Sequence, residues 1–142
     1  MSNDKMAEML NAIGQHIAEI IDDPLDNSYL NAEAGENWAE VGIFQDLGNR
    51  VLYHDPTTEL SLLLMEIWDA AESDKKWAAL HYDIKDGRFD AQFEYADGWD
   101  PEETSIDRLG RALRERYGNK PIVYPEPGPE FDDLTEADLP KN

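Results

Sequence analysis

The histidines and carboxylates are the residues of this sequence that could do chemistry. A histidine metal site needs several ligands at workable spacing, but His16, His54 and His81 are far apart along the chain. Carboxylates number 32, so a pair such as Asp83 with Asp90 is expected by chance and gives weak support for acid–base catalysis. The chain has no cysteine, which excludes thiolate nucleophiles and thiolate metal ligands. We therefore predict no metal site and no catalytic residue.

Motifs that bind phosphate groups or activate a serine are also missing. Neither G-x-x-x-x-G-K-[ST] nor G-x-G-x-x-G occurs, so no glycine-rich loop can direct backbone N–H groups at a phosphate. There is no G-x-S-x-G elbow. The acids at residues 97–102 do not have the spacing of a calcium loop. These absences predict that the protein is not an enzyme and uses no cofactor.

The net charge is the strongest feature of the composition. Twelve Lys and Arg residues against 32 Asp and Glu residues give a formal charge of −20. Binding of nucleic acid or of an anionic membrane requires cations that replace phosphate counterions, so this charge opposes both. The same charge accelerates encounter with a basic protein. High charge also keeps proteins soluble, so solubility and a basic partner are both open interpretations.

Size and composition indicate one domain. A chain of 142 residues with 41% hydrophobic residues can bury one core. It has no apolar run long enough to span a membrane, and its acidic start is unlike a secretory signal. The lack of cysteine fits a reducing compartment. We predict a cytoplasmic monomer or homodimer with a domain at residues 1–125 and an acidic, mobile tail at residues 126–142.

Hydrophobic periodicity predicts three helices. Residues 4–21 carry apolar side chains at intervals of three and four. Residues 55–59 and 100–103 each begin with Asp-Pro followed by acids, which is typical of a helix start. The third helix ends at Gly118. Its turns contain four arginines: Arg108, Arg111, Arg114 and Arg116.

Five strands are predicted between these helices, and residues 121–125, after the third helix, are predicted to form a short edge strand or a polyproline-like stretch. Residues 29–54 alternate apolar and polar side chains across two turn segments, which predicts three antiparallel strands. Asp86-Gly87 between two alternating runs predicts a two-residue hairpin with Lys85 opposite Arg88. The other pairs are then Ile84 with Phe89, Asp83 with Asp90, Tyr82 with Ala91, His81 with Gln92, Leu80 with Phe93, Ala79 with Glu94 and Ala78 with Tyr95.

The predicted fold is of the α+β class, with a mostly antiparallel sheet of about five strands and helices packed on one face. The opposite face, called the polar face here, would be open. Its residues are Tyr29, Asn31, Glu33, Trp38, Glu40, Phe44, His81, Asp83, Asp90 and Glu94. Aromatic anchors among charges are typical of an interface for a basic protein. The predicted partner-binding residues are Glu33, Trp38, Glu40, Phe44, His81, Asp83, Asp90 and Glu94. Alternatively, Trp38 and Phe44 form a minor second core beneath a loop or the tail.

The predicted hairpin resembles that of a known family. W-x-x-L-x-Y-x-I at residues 77–84, the turn, and F-x-x-x-F-x-Y-x-D at residues 89–97 are similar to the hairpin of the YezG-like immunity proteins. The strand Y-L-x-A-E at residues 29–33 is similar in order and spacing. The likeness covers about residues 13–97 and does not reach the arginine helix. It implies a bacterial immunity protein, encoded beside a toxin that is often a nuclease, which binds that toxin stoichiometrically and has no catalytic residues.

The expected function is therefore that of an antitoxin with an acidic binding surface. In this interpretation, a Lys or Arg of the toxin relieves the repulsion between Asp83 and Asp90 on the hairpin. The alternative is a non-catalytic regulatory or scaffold domain that binds another basic protein. A third interpretation, an enzyme that uses carboxylates and an external metal, requires a site with several oxygen ligands.

Overall fold

The computed structural model describes residues 3–21 and 25–124. The helices are α1 (Asn3–Ile20), α2 (Thr58–Ala70) and α3 (Ser105–Tyr117). The strands are β1 (Ser28–Gly35), β2 (Trp38–Asp46), β3 (Val51–His54), β4 (Ala79–Lys85), β5 (Arg88–Glu94) and β6 (Ile122–Val123). The α+β class and the predicted order of elements are confirmed. None of these helices combines the length and apolar character needed to cross a membrane, and the predicted tail lies outside the described residues.

The strands form one open sheet in the order β5-β4-β1-β2-β3-β6. Neighbouring strands are antiparallel except for β3 and β6, which are parallel. Strand β6 brings the sheet to six strands where about five were predicted, and it confirms the alternative that residues 121–125 contain a short edge strand. The residue before β6 is bonded to β3: the N–H of Val51 donates to the carbonyl of Pro121 at 2.8 Å.

The β4–β5 hairpin has the predicted register. Lys85 lies opposite Arg88, and six of the other seven predicted pairs are observed. The register ends at Ala79 with Glu94, and the N–H of Ala78 donates to the Glu94 carbonyl at 2.8 Å, so Ala78 is not paired with Tyr95 as predicted. Asp86 and Gly87 both have positive φ, at 54° and 74°. Two central residues with positive φ are the mark of a type I′ turn, whose twist matches that of the strands it joins. The local Asp-Gly signal was therefore sufficient to set this register.

The larger core lies between the sheet and helices α1 and α2. Ile13 and Ile17 of α1 and Leu64 of α2 are fully buried in it. The sheet side chains that complete this core are Leu30, Ala32, Ala34, Ile43, Leu80, Tyr82 and Ile84. The hydroxyl of Tyr82 donates to the carbonyl of Leu10 at 2.8 Å, which ties α1 to β4. Alternate residues of β1, β2 and β4 thus point into this core.

Helix α3 lies on the opposite face, so the prediction that the helices pack on one face is wrong for α3. A second core there contains Tyr29, Phe44 and Leu113, with Leu109 packed beside them. Because large aromatic rings lie on both faces of the sheet, a single layer of helices cannot bury all of them. Helix α3 forms the second helical layer, on the face opposite α1 and α2. The alternative of a minor second core is right for Phe44, which α3 covers. Trp38 remains 44% exposed.

Two threonines begin the later helices, in place of the aspartates that the sequence favoured. The Thr57 hydroxyl accepts the N–H of Leu60 at 3.1 Å, so α2 starts after Thr57. Thr104 and Asp107 form a capping box at the start of α3. The Asp-Pro pairs at residues 55–56 and 100–101 precede these caps and lie outside the helices. Gly118 ends α3 as predicted, with a φ of 60°.

Candidate functional site

The polar face is the candidate functional surface, and the strand register confirms that its predicted residues share one side of the sheet. Helix α3 crosses this side. Phe44 is fully buried beneath it, and Glu33 is buried as well. These two side chains cannot contact a partner while α3 is in place, which corrects the expectation that they lie on an open face.

Glu33 forms a bidentate ion pair with Arg108 of α3. The Arg108 Nε and Nη2 atoms donate to its two carboxylate oxygens at 2.8 and 2.9 Å. The Arg108 and Glu33 side chains are only 16% and 9% exposed. The guanidinium carbon also lies 3.9 Å from the ring centroid of Trp99. Parallel N–H···O bonds between charged groups are strong and directional, so this pair orients α3 on the sheet.

A second arginine holds the other end of α3. Arg116 donates to a carboxylate oxygen of Asp83, and its guanidinium carbon lies 3.6 Å from the ring centroid of Tyr29. Asp83 faces Asp90 across the hairpin. Arg116 therefore supplies, within the chain, the cation that was expected from a toxin. The repulsion between the two aspartates is relieved without a partner.

A chain of polar side chains lies beneath α3 between these two pairs. The hydroxyl of Tyr29 is 2.7 Å from His81 Nδ1, and His81 Nε2 is 2.8 Å from a carboxylate oxygen of Glu94. Asn31 donates to the Tyr29 hydroxyl at 2.8 Å, and Trp99 donates to Glu94 at 2.7 Å. These partners assign the proton of a neutral His81 to Nε2, with the Tyr29 hydroxyl donating to Nδ1.

The order Tyr-His-Glu is that of a nucleophile, a base and an orienting acid. Burial raises the pKa of the Tyr29 hydroxyl to about 12, so it stays protonated at neutral pH. Tyr29 is also buried under α3, and its side chain does not line the adjoining pocket of about 150 Å³. The geometry therefore favours a structural role for the hydrogen-bonded side chains of Tyr29, His81 and Glu94, which connect the sheet to Trp99 beneath α3.

The hydrogen bonds that join Tyr29, His81 and Glu94 were not predicted from the sequence, although the predicted hairpin register already placed His81 near Glu94. His81 and Glu94 lie on the same face of adjacent strands, one pair apart in the predicted register. Diagonal neighbours at this spacing are within reach of long side chains. The contact of His81 with Tyr29 required a further register, that between β1 and β4. No local pattern predicts that pairing, because the two strands are separated by β2, β3 and α2.

Three of the predicted partner-binding residues remain accessible: Trp38, Glu40 and Asp90. Glu40 accepts a hydrogen bond from the Ser105 hydroxyl at 3.3 Å. Asp90 accepts one from the Gln92 side chain at 3.3 Å, and within the described part of the chain it forms no ion pair. The Glu94 and Asp83 side chains are also 38% and 34% exposed, but they are paired within the chain with His81 and Arg116.

Asp90 lines an open groove of about 480 Å³ at the hairpin end of α3. We call it the hairpin groove, and its residues are Asn27, Asp46, Asp83, Ile84, Lys85, Asp90, Arg116 and Tyr117. Asp46 is paired with Lys120, and Asp83 with Arg116. Among residues 3–21 and 25–124, no three His, Cys, Asp or Glu side chains are arranged as metal ligands. Asp90 is therefore the groove carboxylate that is available to an external cation.

The chain matches no protein-family model and no curated protein sequence. The resemblance of its hairpin to that of the YezG-like immunity proteins therefore stays a prediction. The observed register supports part of the pattern on which this resemblance rests, because the apolar positions of residues 80–84 and 89–93 pair on one side of the hairpin. Trp77, the first residue of the pattern, precedes β4 and is outside this register. Many antiparallel sheets share such a pattern.

The contact between Asp46 and Lys120 predicts a pH dependence. The hydrogen bond from Lys120 Nζ, at 2.9 Å, lowers the pKa of Asp46 below its ordinary value of 3.8, and the N–H of Gly48 adds to this. A carboxyl group whose pKa is lower in the folded state than in the unfolded state stabilises the fold at any pH above its unfolded-state pKa. This stabilisation is lost as the pH falls through the folded-state pKa. We expect Asp46→Asn to be less stable than the native chain at about pH 6, and the difference to decrease as the pH falls below 3.8, the ordinary pKa of this carboxyl group.

Urea denaturation of the native protein and of Asp46→Asn at each pH measures the difference in their free energies of unfolding. The remaining acidic residues titrate in both proteins, so their effect largely cancels in this difference. The matched background is Lys120→Met, in which Asp46→Asn should change stability much less. A difference that stays constant down to the lowest pH would show that the pair does not contribute in this way.

Proposed function

We propose that the protein is a cytoplasmic immunity protein that neutralises a cognate bacterial toxin, such as a nuclease, by stoichiometric binding through its acidic surface. The observation that carries this proposal is that several cationic side chains are paired with carboxylates of the protein itself. Arg108, Arg111, Arg116 and Lys120 each contact a carboxylate of the same chain. Each of these pairs uses one cation and one acid, so the formal net charge of −20 is unchanged and acids stay in large excess over cations.

An acidic surface of this kind suits a basic target. Nucleases bind phosphates through cationic clefts, and a negatively charged protein can occupy the same cleft. Complementary charge raises the rate of encounter and disfavours partners of the wrong sign. The resemblance to immunity proteins points in the same direction. A monomer or a homodimer is compatible with this function.

The hairpin groove supports a more specific version of the proposal. Asp90 is exposed at its rim, whereas Asp46 and Asp83 lie behind it with their own cations. A Lys or Arg of the toxin that enters the groove would pair with Asp90 and would feel the nearby carboxylates. Trp38 and Glu40 lie on the same side of the sheet and are further candidate contacts.

The deciding experiment co-expresses this protein with the basic C-terminal domain of a toxin encoded beside it and scores survival. We expect survival with the native chain and a complex of one protein with one toxin domain. We expect Asp90→Lys to weaken that complex by about tenfold or more, because it places a cation against the toxin's cation. The fold should be kept, since a lysine at this position would face Asp83 and remove a like-charge pair.

Glu59→Lys is the matched control. Glu59 is an exposed residue of α2, on the other layer of the molecule, so the net charge changes equally while the groove is untouched. We expect less than about a threefold change in affinity. Equal losses in the two variants would assign the effect to overall charge. Lack of protection by the native chain would contradict the immunity function itself.

A further inference from the structure

We propose that the open edge of β5 binds an extended segment of the basic partner as an added strand, in which Lys or Arg residues alternate with apolar residues. This proposal rests on the proposed function for the charge of the partner. It adds the mode of binding and the pattern of the bound segment. Strand addition obtains affinity from main-chain hydrogen bonds and specificity from alternate side chains.

The backbone of β5 has an outward row of hydrogen-bonding groups. Strand β5 is at the end of the sheet order, and within the described residues it pairs with β4 alone. The Ile84 carbonyl accepts the N–H of Asn27 at 2.8 Å, so the even-numbered residues of β4 bond towards β1. The odd-numbered residues of β4 therefore bond to β5, and their register partners are even-numbered. The N–H and C=O groups of Phe89, Ala91 and Phe93 are left directed at the open edge.

The two faces beside this edge differ in chemistry. On the helical side, Phe89 is 38% exposed, at a shallow groove of about 320 Å³. The groove is lined by the apolar and small residues Gly14, Ala18, Leu25, Tyr82, Ile84, Gly87 and Phe89 and by the polar residues Asn11, Gln15, Asp26 and Arg88. On the other side, Asp90 is exposed at the rim of the hairpin groove. An added strand would place one row of side chains against the apolar groove and the other row against Asp90.

Charge decides between a partner and a second copy of this chain. Two copies joined through β5 would bring together two proteins of charge −20. Facing like charges destabilise a pair of strands, and inward or edge charges are a known protection against such pairing. A cationic segment has the opposite effect, because it neutralises Asp90. The favoured occupant is therefore a basic segment with apolar residues at every second position.

The first test uses a synthetic peptide of about seven residues, the length of a typical strand, in which Lys and Val alternate. We expect measurable binding by fluorescence anisotropy at low salt. Methylation of those backbone nitrogens that would face β5 should weaken binding by about tenfold or more, because each methyl group removes a donor. Methylation of the other nitrogens should leave binding unchanged. Equal effects of the two methylation patterns, or no binding at all, would overturn strand addition.

The second test changes the edge itself. Ala91→Pro removes one outward N–H, a change that edge strands tolerate. Ala91→Val adds the same number of side-chain carbon atoms and keeps the N–H. We expect the proline variant to bind the peptide and the toxin domain at least about tenfold more weakly than the valine variant, with similar melting temperatures. If the proline variant fails to fold, the methylated peptides still decide the question.

The outcomes separate this inference from the proposed function. Toxin binding by the native chain with equal affinities of the two Ala91 variants would overturn strand addition and leave the immunity function in place. Peptide binding that is sensitive to Ala91→Pro, without protection from any neighbouring toxin, would support the edge and contradict the immunity function. A native dimer in light scattering that Ala91→Pro dissociates would assign the edge to a second copy and overturn the proposal.

Discussion

Replacing Arg108 with methionine is expected to lower the free energy of unfolding by about 3–5 kcal/mol, because it leaves the Glu33 carboxylate buried without its cation. Both hydrogen bonds of the bidentate pair are lost. Little water can replace them, since the Glu33 side chain is only 9% exposed. The contact of Arg108 with the Trp99 ring is lost as well.

A double-mutant cycle separates the loss of the pair from the cost of leaving one charge alone. The combination of Arg108→Met with Glu33→Leu removes both charges, and we expect it to recover most of the stability lost in Arg108→Met. Arg114→Met is the control, because Arg114 is exposed on the same helix and its replacement should change stability by less than about 0.5 kcal/mol. Urea denaturation followed by circular dichroism gives each of these values. A similar loss in Arg108→Met and Arg114→Met would show that the ion pair does not hold α3.

Leu64→Ala is the second large change, with an expected loss of about 2–5 kcal/mol. Leu64 is fully buried in the larger core, between α2 and the sheet. Truncation removes the transfer free energy of the lost carbon atoms and leaves a cavity that the surrounding side chains fill only in part. Alanine is itself a good helix former, so the loss reports packing and not helix propensity.

Leu62→Ala is the matched control for this change. Leu62 lies in the same helix two residues earlier, but it is 52% exposed. We expect its truncation to change the free energy of unfolding by less than about 0.5 kcal/mol. Thermal and urea denaturation of the two variants test the assignment of the buried side of α2. Equal losses at the two positions would contradict the orientation of this helix.

The strands and the hairpin could be predicted because their signals are local. The turn at Asp86-Gly87 requires positive φ at both positions, which sets the pairing of the strands on either side. Alternation then assigns each residue of β4 and β5 to a face. The same rule placed the ten residues of the polar face on one side of the sheet, as observed.

Helix starts were predicted less well, because several residue types make the same cap. Aspartate and threonine both accept a backbone N–H at an N-cap. The helix starts were predicted at Asp-Pro in residues 55–56 and 100–101, whereas the N-cap residues are Thr57 and Thr104. The choice depends on where the chain turns to bring each helix onto the sheet.

The sequence by itself determined the class of the fold, the order of its elements, the register of the hairpin and the large negative charge, since each follows from composition or from residues close together in the chain. Only the tertiary structure decided that α3 covers the polar face. The apolar stripe of α3 would be the same on either face of the sheet, and its arginines could equally have faced solvent. Which face it covers depends on contacts between distant residues, such as Arg108 with Glu33 and Arg116 with Asp83, and no local pattern encodes them.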